Sequence, residues 1–277
     1  MLDTHCHIQF QAYKDDYEEV IKRCKEKGIG LNTVGTQKDT SRLAVEFAEK
    51  YDNIYATIGL HPIHVSSCEV DEEEIVFKSR EEEFDENYYG ELAKSKKVIG
   101  VGECGLDLYH IPEDKNLEEI LDKQKKIFIA QYHFAKDHDL PLVIHVRDAH
   151  KQMIDLLKSL APTHHGVVHC YTGNWENAEE YLNLGLYLGF TGIVTFPPKK
   201  TDPKPQLELI EVIEKCPPGR MLIETDAPYL APQAYRGQRC EPWMVEEVPK
   251  KIAEIKKMTV EKIINQVEDN SRILFKV

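Results

Sequence analysis

The chain has no surplus of positive charge: 35 Lys and Arg stand against 48 Asp and Glu, a formal net charge of −13. This counts against a protein that grips nucleic acid with a broad basic surface, since phosphate binding draws on Lys and Arg. It also lacks CxxC pairs. Seven dispersed cysteines, an odd number, argue against a disulfide framework. No apolar run approaches a membrane-spanning length. The N-terminal Met1-Leu2-Asp3-Thr4-His5 enters a strand-like segment directly, without a basic and apolar targeting signal. The expectation is a soluble cytosolic or nuclear protein with no membrane partner and no obligate protein partner. No Pro/Gly/Ser-rich linker divides the 277 residues, so one domain spanning 1–277 around one large core is expected. Much of the acidity is local: Ser66 to Glu91 reads as a solvated, partly helical surface insertion.

What the chain does have is a repeated order of elements. Met1–His7, Gly30–Gly35, Ile54–Leu60, Lys97–Glu103, Leu140–Val146, Gly166–Tyr171, Tyr187–Ile193 and Met221–Asp226 are short apolar stretches that predict eight strands. Helical spacing fills Asp15–Lys27, Asp39–Tyr51, Leu117–Asp137, Ala149–Leu160, Asn174–Leu184 and Gln206–Lys215 between them. Near-continuous apolar strands alternating with helices imply a parallel sheet covered on both faces. Eight such units fit an α/β (β/α)₈ TIM barrel, with an open doubly wound sheet as the alternative.

Metal-ligand side chains stand at the ends of five of these strands: His5 and His7, Glu103, His145, His169 and Asp226. In a barrel all such ends point at one centre, which favours the closed ring. His5 and His7 share one face of a strand, as joint binding of one ion requires. Nitrogen and carboxylate ligands suit Zn²⁺, Mn²⁺ or similar ions. Glu103 is placed to bridge two divalent ions, the first completed by His5, His7 and Asp226 and the second by His145 and His169. Cys6, Cys104 and Cys170 adjoin ligands in sequence, but neighbours along a strand face opposite ways, so thiolate ligation is not expected.

Two such ions can hold a metal-activated hydroxide and clamp the attacking and leaving oxygens of an in-line displacement, which makes phosphodiester hydrolysis the natural reaction. Glu103 and Asp226 are the catalytic candidates, with Asp226 either a general base or a ligand only. Phosphate also needs donors. Arg147 lies two residues beyond His145 on the same strand face, and His61 and Arg239 lie in loops at the same end of the barrel, so all three are substrate-binding candidates. Arg239 has a structural alternative, an ion pair with Glu241. Of the aromatics in these loops, Tyr109, Tyr171, Trp175, Phe196, Tyr229, Tyr235 and Trp243, some can stack on unpaired bases while most are expected to pack. Lys199 and Lys200 add a small basic patch.

The order DTHCH, GLHP, GECGLD, IHVRDAH, HCYTG, ETDAPYL, RxEP and NSRILF resembles the TatD-like metal-dependent deoxyribonucleases of the amidohydrolase superfamily, over nearly the whole chain. The resemblance implies a barrel and one or two divalent ions, often Mg²⁺ with Zn²⁺ also compatible. It further implies a DNA substrate, preferably single-stranded, cut exonucleolytically from a 3′ end. It makes His5, His7, Glu103, His145, His169 and Asp226 the metal set and puts His61 and Arg147 near the scissile phosphate. Two departures stand out: the usual RNEP reads Arg239-Cys240-Glu241-Pro242, and the acidic insertion is longer than the compact pattern. The rival readings are a barrel amidohydrolase acting on an amide, lactone or nucleobase, and a non-catalytic protein that retains the barrel.

Overall fold

In a computed structural model, residues 1–65, 69–72, 75–78, 81–111, 115–160 and 164–277 are described. Eight strands form one parallel sheet: β1 (Leu2–Cys6), β2 (Gly30–Val34), β3 (Ile54–Ile58), β6 (Val98–Asp107), β7 (Leu142–Arg147), β8 (Gly166–Val168), β9 (Tyr187–Phe190) and β10 (Met221–Ile223). Spatial order follows chain order, as right-handed strand-helix-strand crossovers dictate. The ends of the sheet meet through a parallel bridge between Cys6 and Ala227. Asp226 N–H donates to His5 O at 2.8 Å and His7 N–H to Ala227 O at 2.7 Å, which draws the sheet into a nearly closed barrel.

The expected helices form, as α1 (Tyr17–Glu26), α2 (Lys38–Lys50), α4 (Leu117–Asp137), α5 (His150–Ser159), α6 (Trp175–Asn183) and α7 (Lys204–Lys215). Short polar side chains start several of them. Asn116 accepts Glu118 N–H before α4, and Asn174 accepts Asn177 N–H before α6, satisfying amides that the first helical turn leaves open. Two helices were not foreseen, α8 (Glu247–Lys256) and α9 (Val260–Phe275). They follow the eighth strand, where the strand-helix rhythm calls for a helix that the sequence assignment did not place.

The acidic insertion agrees with expectation in part. Among its described residues the helix is α3 (Glu86–Leu92), capped by Asp85. Glu69–Glu72 (β4) and Ile75–Lys78 (β5) pair instead as a separate antiparallel hairpin, while residues 66–68, 73–74 and 79–80 lie outside the described ones. Among the described residues, no helix is long and apolar enough to cross a membrane.

The barrel interior is graded along its axis. Val143, Val167 and Leu222 stand two residues before His145, His169 and Glu224, on the same strand faces. With Ile99, Tyr187, Leu274 and Phe275 they form an apolar plug at the N-terminal end. The polar groups above that plug therefore have a dry floor beneath them and open only toward the strands' C-terminal ends, where barrel enzymes carry their sites.

Candidate metal centre

The five strand ends bring His5, His7, Glu103, His145, His169 and Asp226 into one cluster, and Glu103 is its hub. β6 runs past Glu103 to Asp107, further than expected, and its register shifts between Val101 and Cys104. Glycine is required beside the shift: Gly102 has φ +153°, and a Cβ there would stand 2.4 Å from Val143 O. The Glu103 carboxylate divides its two oxygens between the two sides of the cluster. Oε2 lies 3.3 Å from His5 Nε2 and 3.9 Å from His7 Nε2. Oε1 lies 2.6 Å from His169 Nε2, 2.8 Å from His145 Nδ1 and 3.4 Å from His61 Nε2. Asp226 Oδ1 approaches His7 Nε2 at 3.3 Å and His5 Nε2 at 3.6 Å, on the Oε2 side.

The outward ring nitrogens decide which nitrogen faces inward. His7 Nδ1 donates to Val34 O at 2.7 Å, leaving the Nε2 lone pair for the centre. His145 is reversed, with Nε2 3.2 Å from Asp107 Oδ2 and Nδ1 turned inward. His169 Nδ1 is 3.6 Å from Glu224 Oε1 while Nε2 points in. Carboxylates or carbonyls on the outer nitrogen are the usual supports of a metal-ligating imidazole. His61 does the opposite: its Nδ1 accepts Ile63 N–H at 3.1 Å, so the neutral ring carries its proton on Nε2, as a donor aimed into the site.

Three overlapping groups, His5/His7/Glu103, His5/His169/Asp226 and His61/Glu103/His145, each bring ligand atoms within 4.8 Å of one another. Imidazole nitrogens and carboxylate oxygens gathered at this range are held together by protons on the rings or by a metal ion that takes their place. The nitrogen-oxygen donor set fits a divalent ion with positions left for water and substrate.

Charge follows the same geometry. Burial pushes the Glu103 carboxyl up, but the imidazoles of His169, His61 and His5 outweigh burial and hold it well below the carboxylate range. Burial also raises Asp226, but without a metal His7 is held protonated on both nitrogens and donates Nε2–H to it, and with the charges of His5 and His169 this brings it below normal. For His145 burial favours the neutral ring, yet Asp107 and Glu103 raise it to about 9. His61 falls to about 4 through burial and the neighbouring His145.

The two arginines part company. Among the described residues the Arg147 side chain makes no hydrogen bond or ion pair, and its guanidinium carbon stands over the Tyr109 ring, 3.9 Å from the centroid. Arg239 is committed elsewhere. It donates to Asp16 Oδ1 at 2.9 Å, Asp16 Oδ2 at 2.6 Å and Ala12 O at 2.6 Å, and it covers the Tyr13 ring at 4.4 Å. The pair expected with Glu241 is a looser 3.5 Å contact, because Glu241 is held by both Arg23 and Trp243. Cys6, Cys104 and Cys170 are in none of the three groups: their sulfurs lie near Asn32 O, Val143 O and Thr191 Oγ1, and burial pushes all three thiols up. Of the seven rim aromatics only Tyr109 is exposed. Lys199 and Lys200 are exposed as well.

Three buried acids escaped the sequence reading. Asp3 binds Thr225 N–H and its hydroxyl across the closing seam, Glu224 accepts Cys170 N–H beside His169, and Asp107 backs His145. The two-residue spacing that pairs His5 with His7 also pairs Asp3 with His5 and Glu224 with Asp226, so alternation carried a signal for the first two.

Comparison with known proteins gives a consistent result. The family model described as TatD related DNase matches residues 2–276. An uncharacterized metal-dependent hydrolase, YabD of Bacillus subtilis, is 39% identical over 100% of this chain and 99% of its own length. A 3′-5′ ssDNA/RNA exonuclease TatD of Pantoea ananatis is 32% identical over 99% of each. The crystal structure of YJJV, a TatD homolog from Escherichia coli, superposes with a TM-score of 0.83 at 28% identity, covering 100% of this chain and 98% of that one.

Proposed function

Because the chain belongs to the TatD related DNase family of metal-dependent hydrolases, we propose that it cleaves DNA phosphodiester bonds, as a 3′→5′ exonuclease on single strands. Two divalent ions are assigned to His5, His7, Glu103, His145, His169 and Asp226. The observation that carries the phosphodiester reading is Arg147. A guanidinium with no hydrogen-bond or ion-pair partner among the described residues, two positions beyond the inward-facing His145, offers a planar fork that suits phosphate and that a carbonyl substrate does not need.

Bound divalent ions supply positive charge to the phosphoryl oxygens and lower the pKa of water. The residues do the rest. Glu103 fixes the spacing of the two ligand groups through its divided carboxylate. Asp226 is the most exposed of the six side chains, at 17%, so its carboxylate can reach the attacking water and hold its proton. His61 offers Nε2–H to a non-bridging phosphate oxygen, and Arg147 fixes the other side of the phosphate. The apolar plug below excludes water from all but the open face.

The test is digestion of DNA and RNA oligonucleotides labelled at either end, with purified protein loaded in turn with Mg²⁺, Mn²⁺ and Zn²⁺. Loss of 3′ nucleotides from single-stranded DNA, abolished by chelator, is expected. Intact oligonucleotides under every metal, together with amide or lactone turnover, would replace this reading with the amidohydrolase one.

A further inference from the structure

The rim of the metal centre has a feature that metal chemistry does not use. Tyr109 is 60% exposed, while the other six aromatics of the rim loops are buried or partly covered. Its placement is fixed. Tyr109 N–H donates to Asp107 Oδ1 at 2.8 Å, the adjacent Leu108 N–H donates to Arg147 O at 2.9 Å, and His110 N–H returns to Asp107 Oδ1 at 2.9 Å. Asp107 and Arg147 are register partners, so the loop grows out of the ladder that carries Glu103 and His145. The Arg147 guanidinium packs on the ring at 3.9 Å, and His110 meets it edge-on at 4.9 Å.

We propose that Tyr109 is a base-stacking platform: its open surface receives the nucleobase adjoining the phosphate that Arg147 holds. The proposal rests on the phosphodiesterase reading above and deepens it by naming how the strand is held. Two physical reasons converge. In a chain whose 48 acids outnumber its 35 Lys and Arg, net charge does not draw in a polyanion, so contacts that need no charge gain weight, and stacking is the main one that single strands offer. An exposed aromatic ring also gains most from a ligand face when its position is set beforehand, since little ordering entropy is then lost on binding. The Asp107 bonds and the Arg147 stack supply that order. Because every base has a π face, the platform accepts all four bases and requires them unpaired, which selects single strands over duplex.

The experiment compares wild type, Tyr109→Ala, Tyr109→Phe and Tyr109→Trp on a single-stranded oligonucleotide and on the same oligonucleotide ending in abasic nucleotides. Tyr109→Ala should raise KM on the normal strand roughly tenfold, within the span of base-aromatic stacking, with any fall in kcat smaller than that. Phe and Trp should restore KM, since they keep the ring. On the abasic strand the gap between Tyr109→Ala and wild type should close. The platform is overturned if wild type cuts and Tyr109→Ala matches its KM. It is equally overturned if the variant is impaired as much on the abasic strand, which would mean that Tyr109 merely positions Arg147. Wild type that cuts neither strand with any metal overturns the phosphodiesterase reading itself, and the platform with it.

Discussion

The carboxylate of Asp107 sits against the outer edge of the His145 imidazole, with Oδ2 3.2 Å from Nε2. The same oxygen takes His110 Nδ1 at 2.7 Å. Burial alone would raise the Asp107 carboxyl, but these two imidazoles hold it well below its ordinary range, so it stays a charged acceptor. Its partner nitrogen on His145 therefore keeps a proton, so that when a metal ion displaces the proton facing Glu103 it is Nδ1 that is freed as the ligand atom.

Asp107→Asn removes that charge while keeping the shape. Loss of such a support typically weakens metal binding about 10- to 100-fold. Calorimetric titration should show the loss confined to the ion on the His145/His169 side, with the His5/His7 side retaining its affinity. Equal weakening of both, or none, would remove Asp107 from this role.

Glu103 touches both ligand groups, so its substitution should not discriminate between them. Glu103→Gln replaces one oxygen with an amide donor facing imidazole nitrogens and deletes the shared negative charge. Activity should fall by at least about 10²-fold, the scale of losing a charge-stabilising group in a dry site. Metal content per chain, measured by mass spectrometry, should drop with it. Full metal loading in the variant would contradict the bridging assignment.

Strand ends were the legible part of this protein. Each ligand follows an apolar run long enough to read as a strand, and only a closed parallel sheet brings five such ends together. Supporting acids were harder to read, because whether Asp107 faces His145 depends on a register shift after Val101 that no local pattern announces. Arg239 shows the other limit: position alone put it on the rim, while its commitment to Asp16, 223 residues earlier, is a tertiary fact. The insertion was legible in part. Charge density reads as a solvated, partly helical segment, which α3 matches, while Glu69–Glu72 and Ile75–Lys78 pair with each other as strands.

The contrast between the arginines predicts separable phenotypes. Arg147→Ala should cut oligonucleotide turnover by at least about tenfold. Arg147→Lys should recover only part, since an ammonium lacks the planar fork and its contact over the Tyr109 ring. Arg239→Ala should register in stability instead. Its side chain is 31% and that of Asp16 40% exposed, so the pair contributes about 1 kcal/mol after solvent screening. Such a loss corresponds to a Tm drop of about 2–4 °C in a chain of this size. An unshifted Tm in Arg239→Ala with turnover lost would reverse the two roles.

Cysteine reactivity offers an independent check on the ligand set. Burial pushes Cys24 and Cys216 up to about 12 and holds Cys6, Cys104, Cys170 and Cys240 above the normal thiol range. The thiolate is the reactive form, so at pH 8 iodoacetamide should leave these six unmodified in the native protein and alkylate them after denaturation. Peptide mapping by mass spectrometry reads the result. Rapid native modification of Cys6, Cys104 or Cys170 would show a thiolate beside the centre and reopen sulfur ligation.

Metal removal should expose how much folding free energy the centre carries. Without a metal ion, the His7 imidazole and the carboxylates of Glu103 and Asp226 crowd one buried space with only protons between them, and only the folded chain assembles them. A ligand that binds this state alone stabilises it by about 2.7 kcal/mol at a concentration 100 times its Kd. For a chain of this length that is a Tm rise of roughly 5–10 °C over chelated protein. Mg²⁺, Mn²⁺ and Zn²⁺ titrated separately should give rises ordered by affinity, and an imidazole-rich donor set places Zn²⁺ above Mn²⁺ and Mn²⁺ above Mg²⁺. Asp226→Asn should shrink the rise without abolishing it, since Glu103 and four histidines remain. A Tm indifferent to all three ions, in protein stripped by chelator beforehand, would mean that the cluster is held by its own hydrogen bonds and is not a metal centre.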